Sequence, residues 1–282
     1  GGIHIGHGMP EISMHRAEGE RRMNQQEAMF YSAATSRGGR SENQDNFAVG
    51  GVVPFWTPQD PESVFGKLPA DRTNYFLVAD GVGGGAAGAD ASRLAAQAVQ
   101  RCWETMEDIE DPPLDALAFV LADAAYAAVE DLNRSLTGSS ASTLVLALLR
   151  GKDFFVLNIG DSPALLFPAE GEPRVLTEEH NLAGYKKRTG EPVRAGDARY
   201  LLRFLGMQDG SAEKLAHTCA GELHCGEALV LCSDGVTGRL AAGVMRDYLF
   251  FDAGASELVQ LAGDDPYADN CTAVVVRRIC AS

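Results

Sequence analysis

From Phe30 onward the chain alternates short apolar runs with polar turns, and the spacing of the apolar positions sorts those runs into strands and helices. The β-branched and aromatic stretches Phe30–Thr35, Asp45–Val49 and Tyr75–Ala79 are too short for helices and read as strands. Two helical patterns follow. Ala86–Met106 sets Leu94, Ala98 and Cys102 at helical spacing, and Leu114–Leu136 opens after Pro112-Pro113 and repeats Leu117, Leu121 and Ala125. Strand patterns return at Ser142–Leu149, Phe154–Ile159, Ala164–Pro168 and Arg174–Thr177, then at Arg199–Leu205, Glu213–Thr218 and Ala228–Cys232. Short helices are predicted over Ala241–Leu249 and Ala255–Leu261, before a last strand, Cys271–Ile279. Strands, a helical pair, hairpin-like strands and helices again predict antiparallel sheets with helices outside them, an α+β arrangement. Regular βαβ alternation is missing, which argues against a dinucleotide-binding fold.

Residues 1–27 have no such periodicity. They are rich in glycine, histidine and charge, and hold three of the chain's six histidines, His4, His7 and His15. They read as a flexible tail preceding a single domain, 28–282.

Composition narrows the function. The 282 residues are 45% hydrophobic, enough for one substantial core. No apolar run approaches the roughly 20 residues of a membrane helix, so no membrane partner is expected. A formal charge of −15 opposes a phosphate backbone and disfavours nucleic acid. Six cysteines form no Cys-x-x-Cys pair, which argues against structural zinc. They are expected to be reduced thiols in a cytoplasmic protein.

The informative chemistry lies in aspartates placed at the ends of apolar runs. Asp45 closes Arg40-Ser-Glu-Asn-Gln-Asp, and Asp80 ends Phe76-Leu-Val-Ala-Asp and precedes Gly81-Val-Gly-Gly-Gly. Asp161 sits in Asn158-Ile-Gly-Asp-Ser, Asp234 in Cys232-Ser-Asp-Gly, and Asp269-Asn270 leads into the final strand. A carboxylate at the edge of a buried strand costs free energy unless a cation or donor meets it. Any one of them could simply cap a turn, as most Asp-Gly pairs do. Five in one domain suggest convergence on hard cations such as Mg²⁺ or Mn²⁺, which prefer carboxylate, carbonyl and water oxygen. Two such ions about 3.5–4 Å apart can lower the pKa of a shared water and clamp a phosphoryl group for in-line attack. Other chemistries fail on spacing. The glycine-rich segment after Asp80 lacks the Gly-Lys-Ser/Thr of a P-loop. Cys225 has Leu231 where a cysteine phosphatase needs its phosphate-loop arginine, and His180 has no serine or acid at triad spacing.

Taken in order, Arg-x-x-Asn-Gln-Asp, Asp-Gly-Val-Gly-Gly, Gly-Ser-Ser-Ala-Ser-Thr, Asn-Ile-Gly-Asp-Ser, Cys-Ser-Asp-Gly and Asp-Asn-Cys-Thr resemble the motif set of the protein phosphatase 2C family, the metal-dependent serine/threonine phosphatases, in its bacterial form. The resemblance covers about Phe30 to Ile279. It implies a four-layer α-β-β-α sandwich, with two mainly antiparallel sheets flanked by helices and a metal cleft at the sheet edges. It also implies hydrolysis of phosphoserine or phosphothreonine by a water activated by two Mn²⁺ or Mg²⁺ ions, with a third ion in many bacterial members. By position, Asp80 would bridge two metals and Gly81 would offer its carbonyl. Asp234 and Asp269 would hold the first metal, Asp45 the second, and Asp161, with Asp234, the third. Arg40 would grip the phosphate, a role its bidentate fork suits. The implied partners are phosphorylated proteins and a cognate kinase system. The alternative is a catalytically silent phosphatase-like module that binds phosphoproteins or regulates a partner.

Three departures bear on the chemistry. Val82 stands where many eukaryotic members carry a histidine suggested as general acid, Gln44 where many have glutamate, and Pro163 where arginine is frequent after Gly-Asp-Ser. Asn181 to Tyr200 corresponds to a short form of the family's flap. It carries a basic cluster, Lys186, Lys187, Arg188, Arg194 and Arg199, read equally well as a solvated loop or as a docking site for a phosphorylated partner.

Overall fold

The computed structural model describes residues 27–50, 62–83, 86–106, 111–135, 139–208, 210–252 and 254–279. The expected tail over residues 1–27 therefore lies outside the described residues but for Glu27.

Among the described residues twelve strands form two sheets. They are β1 (Ala28–Ser36), β2 (Asp45–Val49), β3 (Glu62–Pro69), β4 (Asn74–Val82), β5 (Ala141–Ser142), β6 (Leu144–Arg150), β7 (Asp153–Ile159), β8 (Ala164–Phe167), β9 (Arg174–Val175), β10 (His217–Glu222), β11 (Ala228–Cys232) and β12 (Cys271–Ile279). The first sheet runs β3-β1-β12-β11-β8-β9, and the second β10-β7-β6-β4-β2 with β5 added to β4. Every pairing is antiparallel.

The helices are α1 (Ala86–Glu104), α2 (Leu114–Ser135), α3 (Leu182–Thr189), α4 (Ala212–Leu215), α5 (Asp234–Thr237), α6 (Ala242–Phe250) and α7 (Ala255–Gly263). The burial of apolar faces dictates the layering. Between the sheets lie Phe47, Phe76 and Val145 from one and Met29, Leu229, Leu231 and Val274 from the other. The outer face of the second sheet packs Leu77, Leu146 and Leu157 against Ala95, Val99, Leu117 and Leu121 of α1 and α2. The outer face of the first packs Val230, Ala273 and Val275 against Met245, Leu258 and Val259 of α6 and α7. The result is the expected α-β-β-α sandwich. Because both faces of the central strands are covered, β6 and β11 read as nearly continuous apolar runs rather than alternating ones.

Two predicted strands and the expectation for the cysteines are corrected by the structure. Arg199–Leu205 is no strand: only Leu201 and Leu205 make isolated bridges, to Asn181 and Ser142. Glu213–Thr218 divides into the short helix α4, capped by the Ser211 hydroxyl on the Lys214 N–H, and the start of β10. The six cysteines are not all reduced. Cys102, Cys219, Cys232 and Cys271 are free, whereas Cys225 is disulfide-bonded. Among the described residues no helix is long and apolar enough to cross a membrane.

Candidate metal centre

Antiparallel register brings the first two acids together. Asp45 opens β2 directly opposite Asp80 near the end of β4. Beyond that pair Gly81 donates its N–H to the Gln44 carbonyl at 3.0 Å. A Cβ on Gly81 would stand 2.1 Å from the Gly88 carbonyl oxygen, so this crossing of strand and helix start admits only glycine. Thr143 fixes the strand end from the other side. Its Oγ1 accepts from the Asp80 N–H at 3.0 Å and meets the Ser162 hydroxyl at 2.6 Å.

Asp234 and Asp269 arrive from the first sheet. β11 ends at Cys232, Ser233 turns the chain, and Asp234 opens α5. Ser233 belongs to a buried hydroxyl network. Its Oγ donates to Asp45 Oδ2 at 2.7 Å and accepts from the Thr272 N–H at 3.0 Å, while Thr272 and Thr35 hydroxyls meet at 2.6 Å. Asn43 donates to Thr35 at 2.9 Å and accepts from the Asp45 N–H at 3.1 Å, which closes the ring. Gly235 allows the start of α5 to touch the loop before β12, since a Cβ there would lie 1.9 Å from the Asn270 carbonyl oxygen.

Asn270 anchors the loop that carries Arg40. Its Nδ2 donates to the Arg37 and Glu42 carbonyls at 3.0 and 2.9 Å, and its Oδ1 accepts from the Gln44 N–H at 2.9 Å. Sequence reasoning used Asn270 only as part of a motif and gave Ser233, Thr143 and Asn181 no role. Ser233 and Asn270 were signalled by the Ser-Asp-Gly and Asp-Asn patterns and Thr143 by Gly-Ser-Ser-Ala-Ser-Thr, but which side chains they would hold depends on sheet register.

Electrostatics ties four of the acids into one cluster. Burial raises Asp80 well above the usual carboxylate range, with further upward pushes from Asp45, Asp234, Asp161 and Asp269. Asp45 is raised mainly by burial against the pull of the Ser233 and Thr272 hydroxyls. Asp161 is pushed up to about 6 by burial and by Asp234, despite a 2.9 Å hydrogen bond from Asn181 Nδ2. Asp234 is raised by burial and by Asp269, and a hydrogen bond with the Asp80 side chain partly offsets this.

Asp269 stands at the rim. Its Oδ2 is paired with Arg40 Nη2 at 2.8 Å, and its Oδ1 accepts from the Asn270 N–H. Both members of that ion pair are at least half exposed. Among the described residues no three acidic, histidine or cysteine side chains stand in ready-made cation-binding geometry. The acids are gathered, but Asp269 faces Arg40.

The donor set fits hard divalent cations. It is all oxygen, from carboxylates and the Gly81 carbonyl. Asp45 Oδ1 is buried without any hydrogen-bond partner, an acceptor that a positive charge would satisfy.

The flap forms a small unit at the Asp161 edge. Asn181 uses both ends of its amide: Nδ2 donates to Asp161, and Oδ1 accepts from the Gly184 N–H as the cap of α3. Three of the five flap cations are paired locally, Lys186 with Asp197, Lys187 with Glu179 and Arg188 with Glu178. Arg194 and Arg199 are exposed. His180 is buried, its Nδ1 accepting from the Gly160 N–H at 3.2 Å, and it holds no serine-acid triad.

The chain and its fold have counterparts among known proteins. Residues 65–269 match the family described as Protein phosphatase 2C, a span that leaves Arg40 and Asp45 outside the match. A serine/threonine phosphatase stp of Listeria innocua is 30% identical over 224 residues, covering 74% of this chain and 86% of its own length. The stp of Listeria monocytogenes serovar 1/2a matches with the same identity and coverage. Among solved structures, the S. agalactiae serine/threonine phosphatase superimposes with a TM-score of 0.73 at 20% identity, covering 88% of this chain and 99% of that one. The catalytic domain of the serine/threonine protein phosphatase PstP, solved with two manganese ions, gives 0.70 at 23% identity, covering 90% and 99%.

Proposed function

This chain belongs to the protein phosphatase 2C family and is a metal-dependent protein serine/threonine phosphatase, and from that premise we propose that its reaction centre is the acid pocket built by Asp45, Asp80, Asp161, Asp234 and Asp269. One observation carries the assignment. Burial, and after it the charge of neighbouring acids, raises the pKa of carboxylates from both sheets around an unpartnered Asp45 oxygen, an arrangement that divalent cations would relieve.

In this reading Asp80 would serve both of two Mn²⁺ or Mg²⁺ ions, assisted by the Gly81 carbonyl. Asp234 and Asp269 would serve the first ion and Asp45 the second, while Asp161 and Asp234 would hold a third. Bound divalent cations supply the positive charge that offsets the carboxylates and acidify a water for in-line attack on phosphorus. The chain's own residues do the rest. Ser233 and Thr143 fix the carriers of Asp45 and Asp80, and Asn270 fixes the loop of Arg40.

Arg40 exchanges Asp269 for two phosphate oxygens. The exchange is easy, because an exposed ion pair contributes only about 0–1 kcal/mol. It also frees Asp269 to face the pocket. Val82 brings no acid to the leaving group, and His180 is unsuited to that role, since burial and the Arg203 charge push its pKa down to about 3.

The substrates are phosphorylated proteins of a cytoplasmic kinase system. Turnover of a phosphothreonine peptide with Mn²⁺, abolished by chelator, is the expected result. Turnover undiminished by chelator would overturn the metal assignment. The Arg40–Asp269 pair favours one other reading, a silent module in which that pair persists. Phosphopeptide binding without turnover in saturating Mn²⁺ would select it.

A further inference from the structure

Tyr267 lies two residues before Asp269, so its Cα is within about 7 Å of that residue's along the chain. It is 88% exposed, the most exposed large apolar side chain among the described residues. Its backbone is nonetheless held fast. The Tyr267 N–H donates to Asp265 Oδ1 at 2.7 Å, and Asp265 Oδ2 is paired with Arg239 at 3.0 Å. The Ala268 N–H closes a turn on the Asp265 carbonyl at 2.9 Å, and the Ala268 carbonyl accepts from the Gly39 N–H at 3.0 Å, tying this loop to the one that carries Arg40. A rigid backbone therefore presents an unpartnered aromatic ring beside the proposed phosphate grip. Such preorganisation lowers the ordering cost of a contact.

The ring's surroundings define what it would recognise. Asp264 is exposed in the same loop, whereas Asp265 is paired with Arg239 and Asp269 with Arg40. An exposed carboxylate in the same loop as the electron-rich face of a tyrosine attracts a cation and repels an acid. The chain's net charge of −15 acts in the same direction at longer range.

We infer that Tyr267 is a specificity-determining residue that reads a lysine or arginine flanking the phosphorylated residue of the substrate. The inference rests on the phosphatase reading above and adds a sequence preference to it.

Three phosphothreonine peptides, identical except for arginine, alanine or glutamate on both sides of the phosphothreonine, test it with the Mn²⁺-loaded enzyme. Turnover of p-nitrophenyl phosphate, which has no flanking residues, serves as the reference for each variant. The native enzyme should favour the arginine peptide over the alanine peptide by about fivefold in kcat/KM, with glutamate worst. Tyr267→Ala should bring the arginine-to-alanine ratio close to one, and Tyr267→Phe should retain it. No arginine preference in the native enzyme, or an undiminished one in Tyr267→Ala, would overturn the inference. Loss of p-nitrophenyl phosphate turnover in the native enzyme would instead strike at the phosphatase reading.

Discussion

Arg40 and Asp269 are each other's partners at 2.8 Å, yet each is assigned a separate task during turnover. Both roles are compatible only if the pair is weak, as its exposure requires. Replacing Arg40 removes charge-assisted hydrogen bonds to phosphate, about 1.5–3 kcal/mol, so Arg40→Ala should lower kcat/KM for p-nitrophenyl phosphate by about 10- to 100-fold. Arg40→Lys should recover only part of this, because an ammonium lacks the planar fork. Steady-state kinetics in Mn²⁺ decide it, and unchanged kcat/KM in Arg40→Ala would remove Arg40 from the phosphate. Asp45 makes the complementary case. Its unpartnered Oδ1 and raised pKa mean that the carboxylate destabilises the cation-free fold. Asp45→Asn should therefore raise Tm in chelator by a few degrees, about 2–4 °C per kcal/mol at this size, while shrinking the further rise that Mn²⁺ gives the native protein. Calorimetry with and without Mn²⁺ reads both changes, and a lower Tm in chelator would contradict the account.

At the scale of elements, α3 shows how the flap is joined to the site. The Asn181 amide caps the helix and touches Asp161, so one substitution should loosen both. Asn181→Ala loses a cap of about 1 kcal/mol. Tryptic cleavage at Lys186, Lys187 and Arg188 should then run about fivefold faster, with little change in global Tm. Equal cleavage rates would show that the cap does not hold the flap. Neither α3 nor β3 was visible in the sequence pattern, for different reasons. α3 reads Leu-Ala-Gly-Tyr-Lys-Lys-Arg-Thr, too polar and too short for a helical stripe; its signals are the Asn181 cap and the Gly190 stop in left-handed conformation. β3 is an edge strand with Gly66, Lys67 and Pro69, residues that mark loops unless a neighbour supplies the ladder. Buried strands were legible because burial on both faces leaves an unbroken apolar run. β11 agrees with its predicted bounds for that reason, and β2 and β12 do so although β2 opens on Asp45-Asn46 and β12 carries Arg277-Arg278.

In the whole molecule, the aspartates were legible as chemistry but their supports were not, because Asp45 meets Asp80 by strand register and Ser233 meets Asp45 across 188 residues. Long-range packing also sets how stability answers pH, and two buried groups act in opposite directions. The acid pocket has raised pKa values, so without cations its protonated form stabilises the fold and stability is lost as pH rises. His180 has a depressed pKa, about 3 against about 6.5 unfolded, so the unfolded chain takes up a proton that the fold refuses and stability is lost as pH falls below about 6.5. The groups facing its ring are the Arg203, Arg188 and His217 side chains, Glu178 Oε1 at 3.9 Å from Nε2, and the Gly160 N–H. The cationic neighbours outweigh the single distant acid, so protonation finds no compensating partner. His180→Gln keeps an acceptor for the Gly160 N–H without a titrating group. In chelator, the stability of the native protein minus that of this variant cancels the acid pocket and isolates the histidine. That difference should be flat above pH 7 and should fall by about 1.4 kcal/mol per pH unit below about 6.5. Denaturant melts at pH 7.5, 6.0 and 5.0 measure it. A difference that stays level across that window would mean that His180 accepts its proton in place, through a rearrangement that brings Glu178 closer.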